Sequence, residues 1–236
     1  MKKILFTLSL MAVSFGVFAQ DNNTSTTSSS TTSSVANRAR YSRDFFMLQL
    51  TYDNWAGADS ARVTGFSRGV NVYLMYDIPL KDHISFAGGL GIGTSSIFLD
   101  DQKIDMSNGN SQQVNYVNTT AFSKYKVMTT YVDVPLELRF RGVPDNANKG
   151  FKAAIGAKVG MLLNAHTKSK ASLGGEKNIL KEQNKRFFNT WRYAATARVG
   201  WGNWAVLGSY GFSSVFKNNT GQEAFPYSIG ICLSGL

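Results

Sequence analysis

Two neighbouring stretches of this chain alternate between apolar and polar residues with a period of two. In the first, YVDVPLELRFR at 131–141, aliphatic and aromatic side chains occupy every second position and polar or charged residues mostly lie between them. The second, FKAAIGAKVG at 151–160, repeats the pattern after a polar loop. Because side chains alternate across a β-strand, both stretches predict strands with one apolar and one polar face.

The two stretches also match as arms of a β-hairpin. One register sets Phe140 opposite Phe151 on the apolar face, and Asp133 opposite Lys158 on the polar face. We therefore expect an ion pair between Asp133 and Lys158. If the polar face lines a narrow barrel, its charges predict a lumen filled by ion pairs, with a narrow anion-selective path as the alternative. The predicted members are Asp133, Lys158, Glu137, Arg139, Lys152, Arg192 and Arg198.

The amino terminus predicts export. Residues 1–19 combine Lys2 and Lys3, an apolar run and a small residue at Ala19, which is the pattern of a signal peptide. The apolar run is shorter than the ~20 residues that a membrane-spanning helix needs. Residues 20–43 are mostly Ser, Thr and Asn and predict a disordered linker, so residues 44–236 form the one predicted domain. The single Cys232 excludes an internal disulfide, and we expect it to be a small packed residue.

Alternating segments in the predicted domain number eight, each long enough for a tilted membrane-spanning strand. They fall at 44–54, 66–78, 84–98, 130–141, 151–160, 191–201, 204–212 and 225–233. The segments at 99–126 and 164–188 are predicted to be long loops. The sequence therefore predicts an all-β fold, an eight-stranded antiparallel up-and-down transmembrane β-barrel. A soluble barrel or lipocalin-like cup is the alternative, but its core would have to accommodate many charges.

Connection lengths predict the orientation of this barrel. The connections after the second, fourth and sixth strands are short, and the others are longer. Short turns are periplasmic and long loops extracellular in outer-membrane barrels, so both termini are predicted to be periplasmic. Aromatic residues on the apolar face next to the short turns predict one girdle at the membrane interface: Tyr76, Phe86, Phe140, Phe151, Trp201 and Trp204.

The stretch YVDVPLELRF at 131–140 resembles a strand motif of the PorT-like outer-membrane β-barrel family. Asp133, Pro135 and Arg139 carry the match, together with the aliphatic residues between them. The strand at 151–160, with its small residues, is similar to the family's following strand. The resemblance implies an eight-stranded barrel of Gram-negative outer membranes. It also implies, as an expectation, a place in an outer-membrane complex, because the namesake of the family takes part in a secretion machine.

Candidate sites for chemistry are few. His83 lies in a short turn, whereas His166, near Thr167 and Ser169, is the one candidate for a hydrolytic or acyl-transfer site. Two distant histidines and one cysteine provide no spacing for a metal site, and no cofactor is expected. A basic segment is predicted to face the phosphates of lipopolysaccharide, with an ordinary solvated loop as the alternative. Its cations are Lys168, Lys170, Lys177, Lys181, Lys185 and Arg186.

These observations favour a non-enzymatic outer-membrane module that anchors a complex or presents its loops outside the cell. The expected partners are outer-membrane lipid, lipopolysaccharide and a protein complex, and nucleic acid is excluded by the exterior position of the basic segment. A small barrel enzyme acting on lipid or lipopolysaccharide, centred on His166, is the first alternative. A narrow pore or an adhesin is the second.

Overall fold

The computed structural model describes residues 45–58, 61–105, 114–119, 124–144, 149–173, 176–183, 185–220 and 223–235. The chain divides into two compact units, 1–39 and 40–236, and every described residue belongs to the second. The predicted signal peptide at 1–19 and linker at 20–43 therefore lie outside the described residues. In the described ranges, no helix is long and apolar enough to cross a membrane.

Eleven strands and one 3-10 turn at Asn218–Thr220 make up the described secondary structure. The strands are β1 (Phe46–Ala56), β2 (Arg68–Pro79), β3 (Ile84–Leu99), β4 (Gln102–Asp105), β5 (Asn115–Asn118), β6 (Lys124–Arg141), β7 (Phe151–Leu173), β8 (Glu176–Gln183), β9 (Trp191–Trp201), β10 (Trp204–Gly211) and β11 (Phe225–Ser234). Eight of them pair in the order β6-β3-β2-β1-β11-β10-β9-β7, and β7 pairs back onto β6. The predicted eight-stranded antiparallel barrel is thus confirmed.

The alternation along the strands places apolar side chains on the outside of the barrel, which is the reverse of the arrangement in a soluble protein. Along β2, for example, Val70, Val72 and Leu74 are exposed while Asn71 and Tyr73 between them are buried. The outward face matches the hydrocarbon of a bilayer, and the inward face forms the lumen. Connections at one end of the barrel are short, at 80–83, 142–150 and 202–203, and we call this the turn end. The opposite end, where the longer connections lie, is the extended end.

The hairpin register differs from the prediction by two residues. Phe140 lies opposite Ala153 rather than Phe151, and Asp133 lies opposite Gly160 rather than Lys158. An even shift keeps every side chain on its predicted face, which is why the faces are right although the partners are wrong. Phe140 and Phe151 still meet diagonally outside the barrel, with ring centroids 6.4 Å apart.

The predicted long loop at 164–188 is mostly strand, and this prediction was wrong. β7 continues to Leu173, past a bulge near Leu162, and β8 folds back along it with His166 opposite Gln183. β6 likewise begins at Lys124, inside the other predicted loop, which also contains the hairpin of β4 and β5. The wall formed by β6, β7 and β8 therefore rises beyond the rest of the barrel at the extended end. We call this wall the extension.

An apolar cluster lies at the extended end of the barrel. Trp55 of β1 packs edge-on against Phe216, whose ring lies 5.3 Å from that of Phe188. The loops that carry Phe188 and Phe216 are joined by an isolated β-bridge and by main-chain hydrogen bonds between 185–190 and 213–220. The remaining buried members are Ala58, Ile97, Leu99, Ile104, Val114, Tyr125, Val127, Ala165, Phe187, Val215 and Ala224. We call this cluster the cap.

Candidate functional site: a charged lumen and a basic outer face

The centre of the lumen contains an ion pair between Asp133 of β6 and Arg192 of β9. Arg192 Nε donates to Asp133 Oδ1 at 2.9 Å, and Arg192 Nη2 contacts the other carboxylate oxygen. The Tyr73 hydroxyl of β2 also donates to that oxygen at 3.0 Å, and the guanidinium lies 4.1 Å from the Tyr131 ring centroid. A two-point contact of this kind fixes both side chains in one orientation, so the pair braces β6 and β9, which are separated in the wall by β7.

Two glycines make room for this ion pair. A Cβ atom at Gly160, directly opposite Asp133, would lie 2.1 Å from Asp133 Oδ1 and 2.9 Å from Arg192 Cγ. A Cβ atom at Gly93 of β3 would lie 2.5 Å from Arg192 Nη2. All three distances are too short for a Cβ atom, so a side chain at either position would displace its neighbours. The small residues that line the polar faces of these strands are therefore space for the charged side chains of their neighbours.

A second network of charges lies nearer the turn end. Glu137 of β6 accepts from Arg139 Nε and from Arg198 Nη2 of β9, both at 2.9 Å. Arg139 and Arg141 also pair with Asp77 of β2. All five side chains are less than a tenth exposed, and charges this deeply buried are stable only when paired.

Lys152 of β7 extends this network to the last strand. Its Nζ donates to Ser234 Oγ of β11 at 2.7 Å, and Arg198 reaches the same hydroxyl at 3.4 Å. Residues of five barrel strands thus meet across the lumen at one level. The interior of a narrow barrel at this level is therefore occupied by bonded polar side chains.

Lys158 takes a different place from the one predicted. It is buried in the lumen and faces a cavity of ≈ 50 Å³ that is also lined by Asp53 and Arg192. The negative charges that attract the Lys158 ammonium group are those of Asp133 and Asp53. Asp53 also accepts hydrogen bonds from Thr51 and Ser95, both at 2.6 Å. A cavity of this size has room for a few water molecules between the charged groups.

The other side of the lumen is apolar. Met47, Tyr73, Met75, Ala87, Ala205, Leu207 and Cys232 form a buried cluster on β1, β2, β3, β10 and β11. Cys232 is fully buried there, which agrees with its expected role as a packed residue. One part of the lumen is therefore filled by ion pairs, and another part is filled by apolar packing. The alternation in the sequence indicates which residues face inward but does not indicate this division.

Aromatic side chains ring the outside of the barrel at both ends. The six predicted girdle residues are all exposed at the turn end, with Trp201 69% and Tyr76 64% exposed. A second ring, at the extended end, was not predicted from the sequence, although its aromatic side chains follow the same outward alternation. Its members are Tyr52, Phe66, Trp191, Tyr193, Tyr210 and Phe212. Two such rings a strand length apart are typical of the two interfaces of a membrane.

The predicted lipopolysaccharide-facing residues do not form one loop. Lys168 and Lys170 lie on β7, Lys177 and Lys181 lie on β8, and Lys185 and Arg186 follow β8. The side chain of Lys177 lies outside the described residues. Lys168 and Lys181 are directly opposed, so they share the outward face of the extension.

Two further cations on this outward face were missed because they lie on other strands. Lys126 of β6 stands directly opposite Lys168, and its ammonium lies 5.7 Å above the Phe98 ring. Arg68 begins β2 and is exposed on the same side of the barrel wall. Their position beside Lys168 can be predicted only when the strand order is known, since 42 positions separate Lys126 from Lys168 in the sequence.

Comparison with known proteins gives the family. The model of the outer membrane protein beta-barrel domain matches residues 18–217. The chain belongs to this family. The outer-membrane barrel is similar to the crystal structure of Ail, the attachment invasion locus protein of Yersinia pestis, at 12% identity over 80% of this chain and 95% of that one, with a TM-score of 0.34. Ail in complex with the heparin analogue sucrose octasulfate gives the same identity and TM-score, over 96% of that chain. None of the curated proteins compared with the chain matches it.

His166 is separated from the hydroxyls that an enzymatic site would need. It lies on the outward face of β7, whereas Thr167 and Ser169 are buried on the inward face. Burial, followed by the nearby Lys181, Lys126 and Lys168, lowers the pKa of His166. Its Nδ1 atom lies 3.5 Å from the side-chain nitrogen of Asn164.

His83 has a local role at the turn end. Its Nδ1 lies 2.7 Å from the carbonyl oxygen of Arg141, and its ring stacks on Phe140 with centroids 5.9 Å apart. Among the residues that the structure describes, no group of three or more His, Cys, Asp or Glu side chains could hold a metal ion.

Proposed function

We propose that this outer-membrane barrel is a non-enzymatic module whose lumen is closed and whose function resides on its outer surfaces. The observation that supports the proposal is that side chains occupy the lumen at two levels. Ion pairs fill the membrane-spanning section, from Asp133 with Arg192 down to Glu137 with Arg198, and the apolar cap lies above them. A barrel closed in this way neither conducts ions nor admits a substrate, so it serves as an anchor.

The proposed orientation places the turn end in the periplasm. Both the start of β1 and the end of β11 lie at the turn end, since Met47 pairs with Ser234. In bacterial outer-membrane barrels the short turns are periplasmic and the longer connections are extracellular. Both termini are then periplasmic, in keeping with the signal peptide predicted at 1–19. The cap and the extension face the cell exterior.

Two partners fit the surfaces of the barrel. The cations of the extension and the turn after it, Lys168, Lys170, Lys177, Lys181, Lys185 and Arg186, suit the phosphates of lipopolysaccharide. A protein complex in the outer membrane is supported by the resemblance of the strand at 131–140 to the PorT-like family. The six aromatic residues at the turn end would act as the periplasmic girdle that fixes the depth of the barrel.

Conductance in planar bilayers tests the closed lumen. Purified protein should insert without single-channel steps, while a general porin reconstituted in parallel conducts. Stable single-channel conductance would contradict the proposal, and its loss in the Lys158→Met variant would assign the ions a path past Lys158. The same preparation, incubated with lipopolysaccharide, should leave the mass of lipid A unchanged. A new lipid A mass would instead identify an enzyme.

Crosslinking in native membranes tests the role as a subunit. A photoreactive residue at an exposed turn-end position such as Lys81 should capture a periplasmic or membrane partner, whereas one at Lys217 of the opposite end serves as the comparison. Identical products from both positions, or none from either, would contradict assembly through the turn end.

A further inference from the structure

Three lysines stand side by side across three neighbouring strands of the extension. Lys126 of β6 is directly opposite Lys168 of β7, which is directly opposite Lys181 of β8. Directly opposed side chains share a face and have Cβ atoms about 5 Å apart. Like charges at this spacing repel each other, so the row costs stability in the absence of an anion.

The row belongs to a wider basic face. Lys170 follows Lys168 on the outward side of β7, and Arg68 occupies the first position of β2. We call Arg68, Lys126, Lys168, Lys170 and Lys181 the basic face. Lys124 stands directly opposite Lys170 at the start of β6, and the nearby outward positions without charge are Ser96, Phe98, Met128, Thr130, Asn164 and Gln183.

The crowding of positive charges on the basic face affects the pKa of Lys126. Burial, then Lys168, Arg68 and Lys170, lower the pKa of Lys126. The cations of β2, β6 and β7 therefore act on one another across the strands. A bound polyanion would remove this repulsion, and the energy so released would add to its affinity.

The position of the basic face indicates which polyanion it meets. It lies on the outward side of the wall, continuous with the lipid-facing residues, and not on top of the cap. Met128 is the last apolar residue on the outward side of β6, and Lys126 follows about 7 Å further along the strand. Arg68 follows the exposed Val70 by the same interval. The cations thus begin where the apolar band ends, which is the level of lipid headgroups.

We propose that the basic face binds the phosphate groups of lipid A from the outer leaflet, held against the side of the barrel. This inference rests on the proposed exterior position of the extension and on lipopolysaccharide as its partner. It replaces a general attraction between a basic loop and the membrane with a site of fixed geometry. Its core is the row of Lys126, Lys168 and Lys181, which holds three cations at strand spacing, and Arg68 lies beside it at the interface.

Native mass spectrometry of the folded full chain in detergent tests the site. The probe is bis-phosphorylated lipid A, and chemically dephosphorylated lipid A and phosphatidylethanolamine are the comparison lipids. Each cation beside an anionic surface contributes roughly a five-fold gain in binding. The triple variant K126Q/K168Q/K181Q should therefore bind bis-phosphorylated lipid A about 100-fold more weakly. K126R/K168R/K181R should retain most of the binding.

The matched control is R62Q/K103Q/K217Q, which removes the same charge from the same end of the barrel but none of the cations assigned to lipopolysaccharide. It should bind within a few-fold of the unaltered protein. Equal losses in both triple variants would overturn the site, as would equal binding of dephosphorylated lipid A by the unaltered protein. Preferential binding of a soluble sulfated oligosaccharide over lipid A through the same lysines would also overturn it.

A thermal melt provides an independent measurement. Without phosphate-bearing lipid, K126Q/K168Q/K181Q should melt at a higher temperature than the unaltered protein, because three mutually repelling charges are gone. Addition of lipid A should raise the melting temperature of the unaltered protein only. None of these results depends on the closed lumen, so failure here and failure of the conductance test remain distinct.

Discussion

Arg192 Nε lies 2.9 Å from Asp133 Oδ1, and this contact joins β9 to β6, two strands that do not pair with each other. β7 lies between them in the wall, and its Gly160 leaves the space in which the two side chains meet. The ion pair therefore sets the curvature of this part of the barrel, because it draws two strands together across an intervening one. Tyr73 adds a contact from β2 on the far side.

Substitution of Asp133 by Asn should destabilise the barrel strongly. It leaves the Arg192 guanidinium in the lumen without a counter-charge, and loss of one partner of a buried pair costs roughly 3–5 kcal/mol. The temperature at which the folded band disappears from an unboiled gel should fall accordingly. The double variant D133N/R192M should recover much of the loss, and Asp82→Asn in the exposed turn is the control. An effect of Asp133→Asn no larger than that of Asp82→Asn would contradict the role of the pair.

Gly160→Ala should destabilise the barrel through overpacking. The new Cβ would lie 2.1 Å from Asp133 Oδ1, so the ion pair must shift, at a cost of roughly 1–3 kcal/mol. Gly208→Ala is the matched control, because a Cβ atom there meets nothing within 4 Å. Urea unfolding in the same detergent compares the two. Similar midpoints for both variants would show that the polar lumen adapts more freely than its packing indicates.

The strands could be predicted from the sequence because their alternation is local. The register could not, because Asp133 has plausible partners at several even shifts, and its actual partner lies on β9. The choice among those shifts depends on side chains from non-adjacent strands, such as Arg192 and Tyr73. Local charge complementarity between two arms therefore gave Lys158, the wrong partner.

The extension and the cap were hidden for a related reason. Ala165, Thr167 and Ser169 alternate with polar residues but are not strongly apolar, so their strand carries little hydrophobic pattern. The cap depends on Phe188 and Phe216, single aromatic residues in separate loops that meet only after the barrel has closed. The basic face likewise joins Lys126 to Lys168 through strand pairing alone.

Removal of one ring from the cap should loosen the extended end without unfolding the barrel. Phe216→Ala takes away a fully buried ring between Trp55 and Phe188, and such substitutions cost roughly 3–5 kcal/mol. Hydrogen exchange should accelerate at 185–190 and 213–220 while the amides of β6 and β9 within the membrane stay protected. Phe212→Ala, which removes an outward-facing ring, is the control. Uniformly faster exchange across all strands would contradict a cap that is separable from the lumen.

His166 should titrate below its ordinary value of 6.5, because burial and then Lys181, Lys126 and Lys168 oppose its protonation. A lowered pKa means that the unfolded chain binds more protons than the folded one near and below that pH. The contribution of His166 to stability is therefore present at higher pH and is lost as the pH falls through that range. Imidazole resonances followed by NMR should give a midpoint below 6.5, which rises in Lys181→Gln and stays unchanged in Lys185→Gln.

If bis-phosphorylated lipid A occupies the basic face, it should also raise the midpoint, since phosphate charge offsets the three lysines. A midpoint unaffected by Lys181→Gln would contradict the proximity of the row to His166.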